Sequence, residues 1–211
     1  MSRWREVLRG GFGRGVFPHE FWFLLELPGR VFVQSPTRLA HRLALSRTSR
    51  VLEAGPGSGF FSVDIARSIP EGHLALLDLQ PEFLVRACRK LAKAGLANVS
   101  CTPGNACNMP FPDHDFDVVV FVTVLGEIAD RASCLREVFR VLKPGGLLSI
   151  TELRFDPDFV HSTNVRQLAA LAGFESVATW GPRWSYTAHF RKPKPHQPPN
   201  NAPHPAAAGE S

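Results

Sequence analysis

Through the middle of the chain, short strand-like runs alternate with amphipathic stretches. Runs at 50–53, 73–78, 99–102, 116–122 and 147–151 predict strands, and 177–180 and 186–190 add two more near the end. Val118-Val119-Val120-Phe121-Val122 has no polar break, as a parallel strand covered on both faces requires. Helices are predicted over 60–68, 81–94, 133–142 and 164–172. Pro81 suits a first helical turn, and Gly95 and Gly173 suit the position just past an end. Leu135, Val138, Phe139 and Leu142 form one apolar stripe. Lys143-Pro144-Gly145-Gly146 reads as a turn. Strands alternating with helices predict an α/β, Rossmann-like fold: a mostly parallel seven-stranded sheet with helices on both faces. In such sheets ligands bind beyond the carboxyl ends of the strands, near the switch point, so the residues that follow strands one to four carry the interest.

Two flanks depart from this pattern. Residues 12–45 are rich in aromatics, with Phe17, Phe21, Trp22 and Leu25 at roughly helical spacing, and predict a helical cap. Residues 193–211 are dense in Pro, Asn, Ala and His and are expected to be disordered. The division expected is a basic segment and cap over 1–45, a ligand-binding domain over 46–192 and a Pro-rich tail over 193–211.

Composition narrows the classes. Hydrophobic residues make up 44% of 211, enough for a sizeable core, and no apolar run approaches the ~20 residues of a membrane span. The start lacks the pattern of a secretory signal. Cys88, Cys101, Cys107 and Cys134 form no C-x-x-C pair, so free thiols in the cytoplasm are the simplest expectation. No metal site is expected, because Cys101 and Cys107 lack a third soft ligand. The net charge of +5 gathers at the ends, with Arg3, Arg5, Arg9 and Arg14 at the start and Arg191, Lys192 and Lys194 near the finish. Solvated surface charge explains it most simply. Weak association of the basic aromatic start with an anionic membrane surface is the alternative.

The chemistry begins at Glu53-Ala54-Gly55-Pro56-Gly57-Ser58-Gly59, between strand one and helix one. Three glycines in five residues let backbone approach a ligand closely. In a dinucleotide fingerprint, G-x-G-x-x-G, the third glycine would fall on Phe60, which argues against a nicotinamide oxidoreductase. No Gly-Lys-Ser/Thr follows, so this is not a P-loop. Asp78 ends strand two, where a carboxylate can accept hydrogen bonds from both hydroxyls of a ribose. The competing role for Asp78 is a helix cap before Pro81.

These pieces occur in order with Asn108-Met109-Pro110-Phe111-Pro112-Asp113, Phe116-Asp117 and Lys143-Pro144-Gly145-Gly146. Together, from Val51 to Glu152, the segment resembles the class I S-adenosylmethionine-dependent methyltransferases, in the group that includes the quinone-biosynthesis methyltransferases. The resemblance implies the Rossmann-like methyltransferase fold and S-adenosyl-L-methionine as cofactor. It implies that Gly55, Pro56 and Gly57 line the methionine part, that Glu53 supports the loop or meets the amino group through water, and that Asp78 holds the ribose with Leu79 near the adenine. It also implies that Thr123, after strand four, adjoins the cofactor. An Asp usually meets the adenine amino group after strand three; here Asn105 stands there, followed by Ala106, so the acceptor is an uncharged carbonyl.

Methyl transfer is a direct displacement, so the protein must mainly align the acceptor and exclude water, and the motifs reveal the cofactor rather than the acceptor. A small acceptor, apolar or amphipathic, is expected from the aromatic cap. Glu127 and His19 are candidate bases, each with a structural role as its alternative, and Phe21, Trp22 and Tyr186 are candidate substrate contacts. Trp184 and His189 could help close the pocket. No Asn/Asp-Pro-Pro-Tyr/Phe motif follows strand four, where Thr123-Val124-Leu125-Gly126 stands, so nucleic acid is not expected as acceptor. The reading from another class is a catalytically inactive protein of this fold that binds or scaffolds.

Overall fold

The computed structural model describes residues 35–154, 156 and 158–195. Seven strands form one sheet: β1 (Arg50–Ala54), β2 (His73–Asp78), β3 (Val99–Pro103), β4 (Phe116–Val122), β5 (Leu142–Leu153), β6 (Glu175–Trp180) and β7 (Ser185–Arg191). The helices are α1 (Pro36–Arg42), α2 (Ser62–Ser68), α3 (Pro81–Lys93), α4 (Arg131–Val141) and α5 (Ser162–Leu171). The strand order is β3-β2-β1-β4-β5-β7-β6. The first five strands pair in parallel, and β7 runs antiparallel to both β5 and β6. The sheet is mostly parallel, as expected, and mixed only through β7. The order reverses between β1 and β4, which puts the switch point at their carboxyl ends.

Alternation along the strands splits the core in two. Leu52, Val119, Phe121, Leu148 and Ile150 face α4 and α5, where Leu135, Val138, Val165 and Ala169 are buried. Val51, Leu74, Leu76, Val118 and Val120 face the other side, with Leu39, Ile65, Leu84 and Leu91 of α1, α2 and α3. Each face is thus closed by helices, which is why β4 carries no polar residue from Val118 to Val122.

Local chemistry sets the helix ends. Pro81 opens α3, whose buried residues Phe83, Leu84, Ala87 and Leu91 form one stripe. Past its end Gly95 is left-handed (φ 73°), and Leu96 N–H closes back onto Leu91 O at 3.1 Å. The Asp130 carboxylate caps α4 by accepting Ser133 N–H at 2.9 Å. The α1 cap is Ser35, with Pro36 in the first turn.

Three expectations are corrected. The helix predicted from residue 60 starts at Ser62, because Gly59, at φ 78°, and the two phenylalanines after it still belong to the loop. Lys143–Gly146 does not separate two elements but lies within β5, beside a register shift between Phe116 and Val118 on β4. Gly145 N–H donates to Lys192 O and Lys192 N–H donates to Gly146 O, so pairing continues through the glycines. Cys88 and Cys101 are not free thiols: they are joined as a disulfide where α3 packs on β3, with Cα atoms 6.8 Å apart. Cys107 and Cys134 are free, and burial raises the Cys134 thiol.

The cap over residues 12–34 and the tail beyond 195 lie outside the described residues, as do His19, Phe21 and Trp22. Among the described residues no helix is long and apolar enough to cross a membrane.

Candidate active site

The loop after β1 is built on backbone that only glycine adopts readily. Gly55, Gly57 and Gly59 have φ of 69°, 53° and 78°. Gly55 N–H donates to Leu77 O at 2.8 Å, tying the loop to β2. A Cβ on Gly55 would overlap the Val124 side chain, so the loops after β1 and β4 touch. A Cβ on Gly59 would lie 3.0 Å from Ala87 Cα. Close packing against a helix therefore falls on Gly59 and α3, one residue earlier than in a dinucleotide fingerprint. Pro56 is buried within the turn and its carbonyl accepts Gly59 N–H at 2.9 Å.

Beneath the loop lies Glu53, 2% exposed, whose carboxylate accepts a 2.6 Å hydrogen bond from Ser62 Oγ. Burial raises its carboxyl to about 7, against the opposing effect of that bond. Glu53 thus braces β1 to α2 under the glycines. The Ser58 hydroxyl is buried with no hydrogen-bond partner among the described residues, a polar orphan in the loop itself.

Asp78 closes β2 at 9% exposure. Its Oδ1 accepts Gln80 N–H at 2.9 Å, and the backbone N–H groups of Leu79 and Gly57 also support the carboxylate, while burial raises its pKa. Part of Asp78's capacity is therefore spent at the entry to α3, as the capping alternative anticipated, and the same carboxylate is oriented toward the glycine loop. Leu79 beside it is 56% exposed, a bare apolar side chain next to a fixed carboxylate. After β3, Asn105 is exposed and its side-chain carbonyl accepts Cys107 N–H at 2.8 Å. Sequence reasoning put this carbonyl against adenine; the structure engages it in a local turn. Ala106 packs against the core beside it.

The third wall follows β4. Thr123 has φ 55°, a rare conformation for a β-branched residue, and its N–H donates to Thr151 O at 2.8 Å. The turn Leu125–Glu127 is clamped by Arg131, which donates to Leu125 O at 3.0 Å and to Gly126 O at 2.6 Å. Glu127 is half-buried in that turn, and its charge contributes to raising Glu152. Glu152, next to last in β5, is 1% exposed; one carboxylate oxygen accepts Val160 N–H at 3.4 Å and the other has no partner among the described residues. Burial raises its carboxyl to about 8. Glu152 and Arg131 were not singled out from sequence; the rule that sites gather at strand carboxyl ends, applied to strand five, points to Glu152.

Tyr186 is held firmly by the fold. It is 3% exposed and its hydroxyl donates a 2.6 Å hydrogen bond to Val160 O. Alternation on β7 turns its ring toward α4 and α5, so it tethers the segment after β5. His189 is 2% exposed, stacks edge-on against Trp180, and is held down to about 4 by burial, with Arg42 and Arg191 adding to the effect. Trp184 is 45% exposed at the carboxyl edge, beside a cleft of about 210 Å³ between α1 and the ends of β5, β6 and β7.

These buried groups make stability depend on pH. Glu53 and Glu152 have folded values above the ordinary 4.5, so their contribution is full below 4.5 and is lost as pH rises through about 7 and about 8. His189 works oppositely: its stability is present above 6.5 and is lost as pH falls through about 4. Between pH 6.5 and 8 only the carboxyls act, and stability falls with rising pH. Glu152→Gln is expected to flatten the fall of Tm between those pH values by half or more, as thermal melts in matched buffers would show. An unchanged slope would remove Glu152 as its source.

Among the described residues no group of three His, Cys, Asp or Glu side chains is placed to hold a metal. The polar and glycine-lined edge instead suits an organic ligand with hydroxyls and a flexible tail, since the fixed Asp78 carboxylate, the exposed Leu79 and the orphaned Ser58 hydroxyl lie around one loop.

Comparison with known proteins agrees with this geometry. The demethylmenaquinone methyltransferase of Listeria monocytogenes serotype 4a (strain HCC23) is 38% identical over 108 residues, 51% of this chain and 46% of that protein. The ubiquinone/menaquinone biosynthesis C-methyltransferase UbiE of Vibrio vulnificus (strain YJ016) is 38% identical over 113 residues, 51% of this chain and 44% of that one. The chain thus spans less than half the length of these curated relatives. Among solved structures, a SAM dependent methyltransferase from Aquifex aeolicus superposes with a TM-score of 0.78 at 22% identity, covering 84% of this chain and all of that one. The [4+2]-cyclase SpnF superposes with a TM-score of 0.68 at 20% identity, covering 75% and 80%. At such identities the likeness shows the fold, and the fold hosts more than one reaction. The family described as a methyltransferase domain matches residues 45–190, about two thirds of the chain and every strand of the sheet except its last residue, and to that family the chain belongs.

Proposed function

We propose that this chain transfers a methyl group from S-adenosylmethionine to a small apolar or amphipathic acceptor. The observation that carries the reading is the convergence of three left-handed glycines, the buried Asp78 carboxylate and the strained Thr123 at one switch point. S-adenosylmethionine supplies a methyl group activated on a sulfonium; attack by the acceptor displaces S-adenosylhomocysteine. The protein's work is to hold and exclude. Gly55, Pro56 and Gly57 present backbone to the methionine part, with Glu53 bracing them from below. Asp78 accepts from the ribose, Leu79 covers the adenine, and Asn105 and Ala106 border its edge. Thr123 sits where the reacting groups meet.

The acceptor lies beyond β4 and β5. An acceptor that loses a proton needs a base, and Glu127, in the turn after β4, is the proposed one. His19, Phe21 and Trp22 are proposed from the aromatic cap as base and substrate contacts. The quinone-biosynthesis names of the two curated relatives support a quinone-like acceptor. The test is transfer of isotopic label from the methyl of S-adenosylmethionine to demethylmenaquinone or other extractable acceptors. Label in the organic phase, lost in Asp78→Ala, is expected. No label with any acceptor, despite tight S-adenosylhomocysteine binding, would favour a binding protein without catalysis.

A further inference from the structure

We propose that the cleft between α1 and the corner formed by β5, β7 and β6 binds an oxyanion carried by a flat, apolar methyl acceptor, with Arg38 and Arg42 as the receptor for its charge. This deepens the methyltransferase reading and rests on it. Arg38 and Arg42 are four residues apart on α1 and so share one face, which lines the cleft. Neither has a carboxylate partner among the described residues, whereas Arg47, Arg50, Arg67 and Arg140 are all ion-paired. No Asp or Glu is among the described residues that line the cleft.

Arg38 is exposed at the rim and Arg42 lies deeper, so the two can donate together to an anion entering the cleft. Arg42 is half-buried and its guanidinium lies 5.4 Å from the centre of the Trp180 ring. Burial, reinforced by the Arg38 charge, lowers its proton affinity. The ring beside it restrains the guanidinium, whose N–H groups can serve a planar oxyanion. The remaining walls are aromatic and hydroxylic: Phe61, Trp180 and Trp184 beside the hydrogen-bonded pair Thr151 and Thr187.

Position links the cleft to the reaction. Phe61 lies two residues past Gly59, and the carbonyl of Thr151 holds Thr123 N–H at 2.8 Å. A body lying between Arg42 and Phe61 has one end on the arginines and the other on the residue that leads from the loop after β1 into α2. At about 210 Å³ the cleft has room for an aromatic ring system rather than a bulky macromolecular segment.

The test uses the full chain saturated with S-adenosylhomocysteine and two isosteric probes, 2-naphthoate and neutral 2-naphthamide, followed by tryptophan fluorescence or calorimetry. The carboxylate is expected to bind at least tenfold tighter, with a preference that shrinks from low to high salt. Arg38→Gln combined with Arg42→Gln is expected to abolish the preference while S-adenosylhomocysteine binding is retained. Equal affinities for the two probes in the wild type, or a salt-sensitive preference that survives in the double variant, would overturn the proposal. Should the double variant fail to fold, the wild-type ratio and its salt dependence decide alone. Loss of S-adenosylhomocysteine binding in the wild type would instead sink the methyltransferase reading, a result read before either probe is added.

Discussion

Replacing Asp78 with alanine will weaken S-adenosylhomocysteine binding by more than tenfold. The carboxylate is nearly buried and is held in place by the N–H groups of Gln80, Leu79 and Gly57, so it is preorganised to accept from a ribose. Each hydrogen bond from a hydroxyl to a charged group is worth ~1.5–3 kcal/mol, and two are at stake. Because the side chain also caps the entry to α3, some stability will go with it, on the order of 1 kcal/mol for a lost cap. Asp78→Asn separates the two effects: it keeps an acceptor for the local N–H groups and removes the charge. Calorimetric titration beside thermal melts is the measurement. A dissociation constant unchanged in Asp78→Ala would take Asp78 out of the ribose site.

Gly55→Ala is expected to cost both stability and affinity for the cofactor. Two penalties combine there. The φ of 69° disfavours a side chain by ~1–2 kcal/mol, and the new Cβ would drive into Val124, where overpacking typically costs ~1–3 kcal/mol. The loops after β1 and β4 must then separate, so affinity for S-adenosylhomocysteine should fall along with Tm. Adding Val124→Ala should restore the packing share and leave the backbone share, a coupling that a double-mutant cycle reads directly. Additive losses in the double variant would mean that the two loops do not touch.

How much of this was legible in the sequence depended on whether the cause was local. β2 and β4 were predicted to the residue, 73–78 and 116–122, because each holds an apolar run, 74–77 and 118–122, bounded by polar residues. Pro81 and Gly95 framed α3 for the same reason. The glycine loop and Asp78 were readable because their chemistry is written in consecutive residues. What was not readable depends on partners far along the chain. Lys143–Gly146 carries turn residues, yet it pairs because Lys192, nearly fifty residues away, supplies the missing backbone groups. The antiparallel β7 places Tyr186 opposite Glu152, and only the folded chain shows its hydroxyl bonded to the Val160 carbonyl. The Cys88–Cys101 bond joins a helix to a strand across thirteen residues, and cysteine spacing alone cannot tell a pairing from a pair of free thiols. Arg38 and Arg42 look like ordinary surface charge until β6 sets Trp180 beneath one of them.

The central claim is that the glycine loop and Asp78 form a site for S-adenosylmethionine, and its most direct test is calorimetry of the full chain with S-adenosylhomocysteine against NAD. The account predicts one S-adenosylhomocysteine per chain with a dissociation constant of about 1 μM or below, some −8 kcal/mol. It predicts no measurable heat with NAD, because Phe60 stands where a dinucleotide loop needs its third glycine. Binding of NAD, or silence toward S-adenosylhomocysteine in a chain that melts cooperatively, would contradict it.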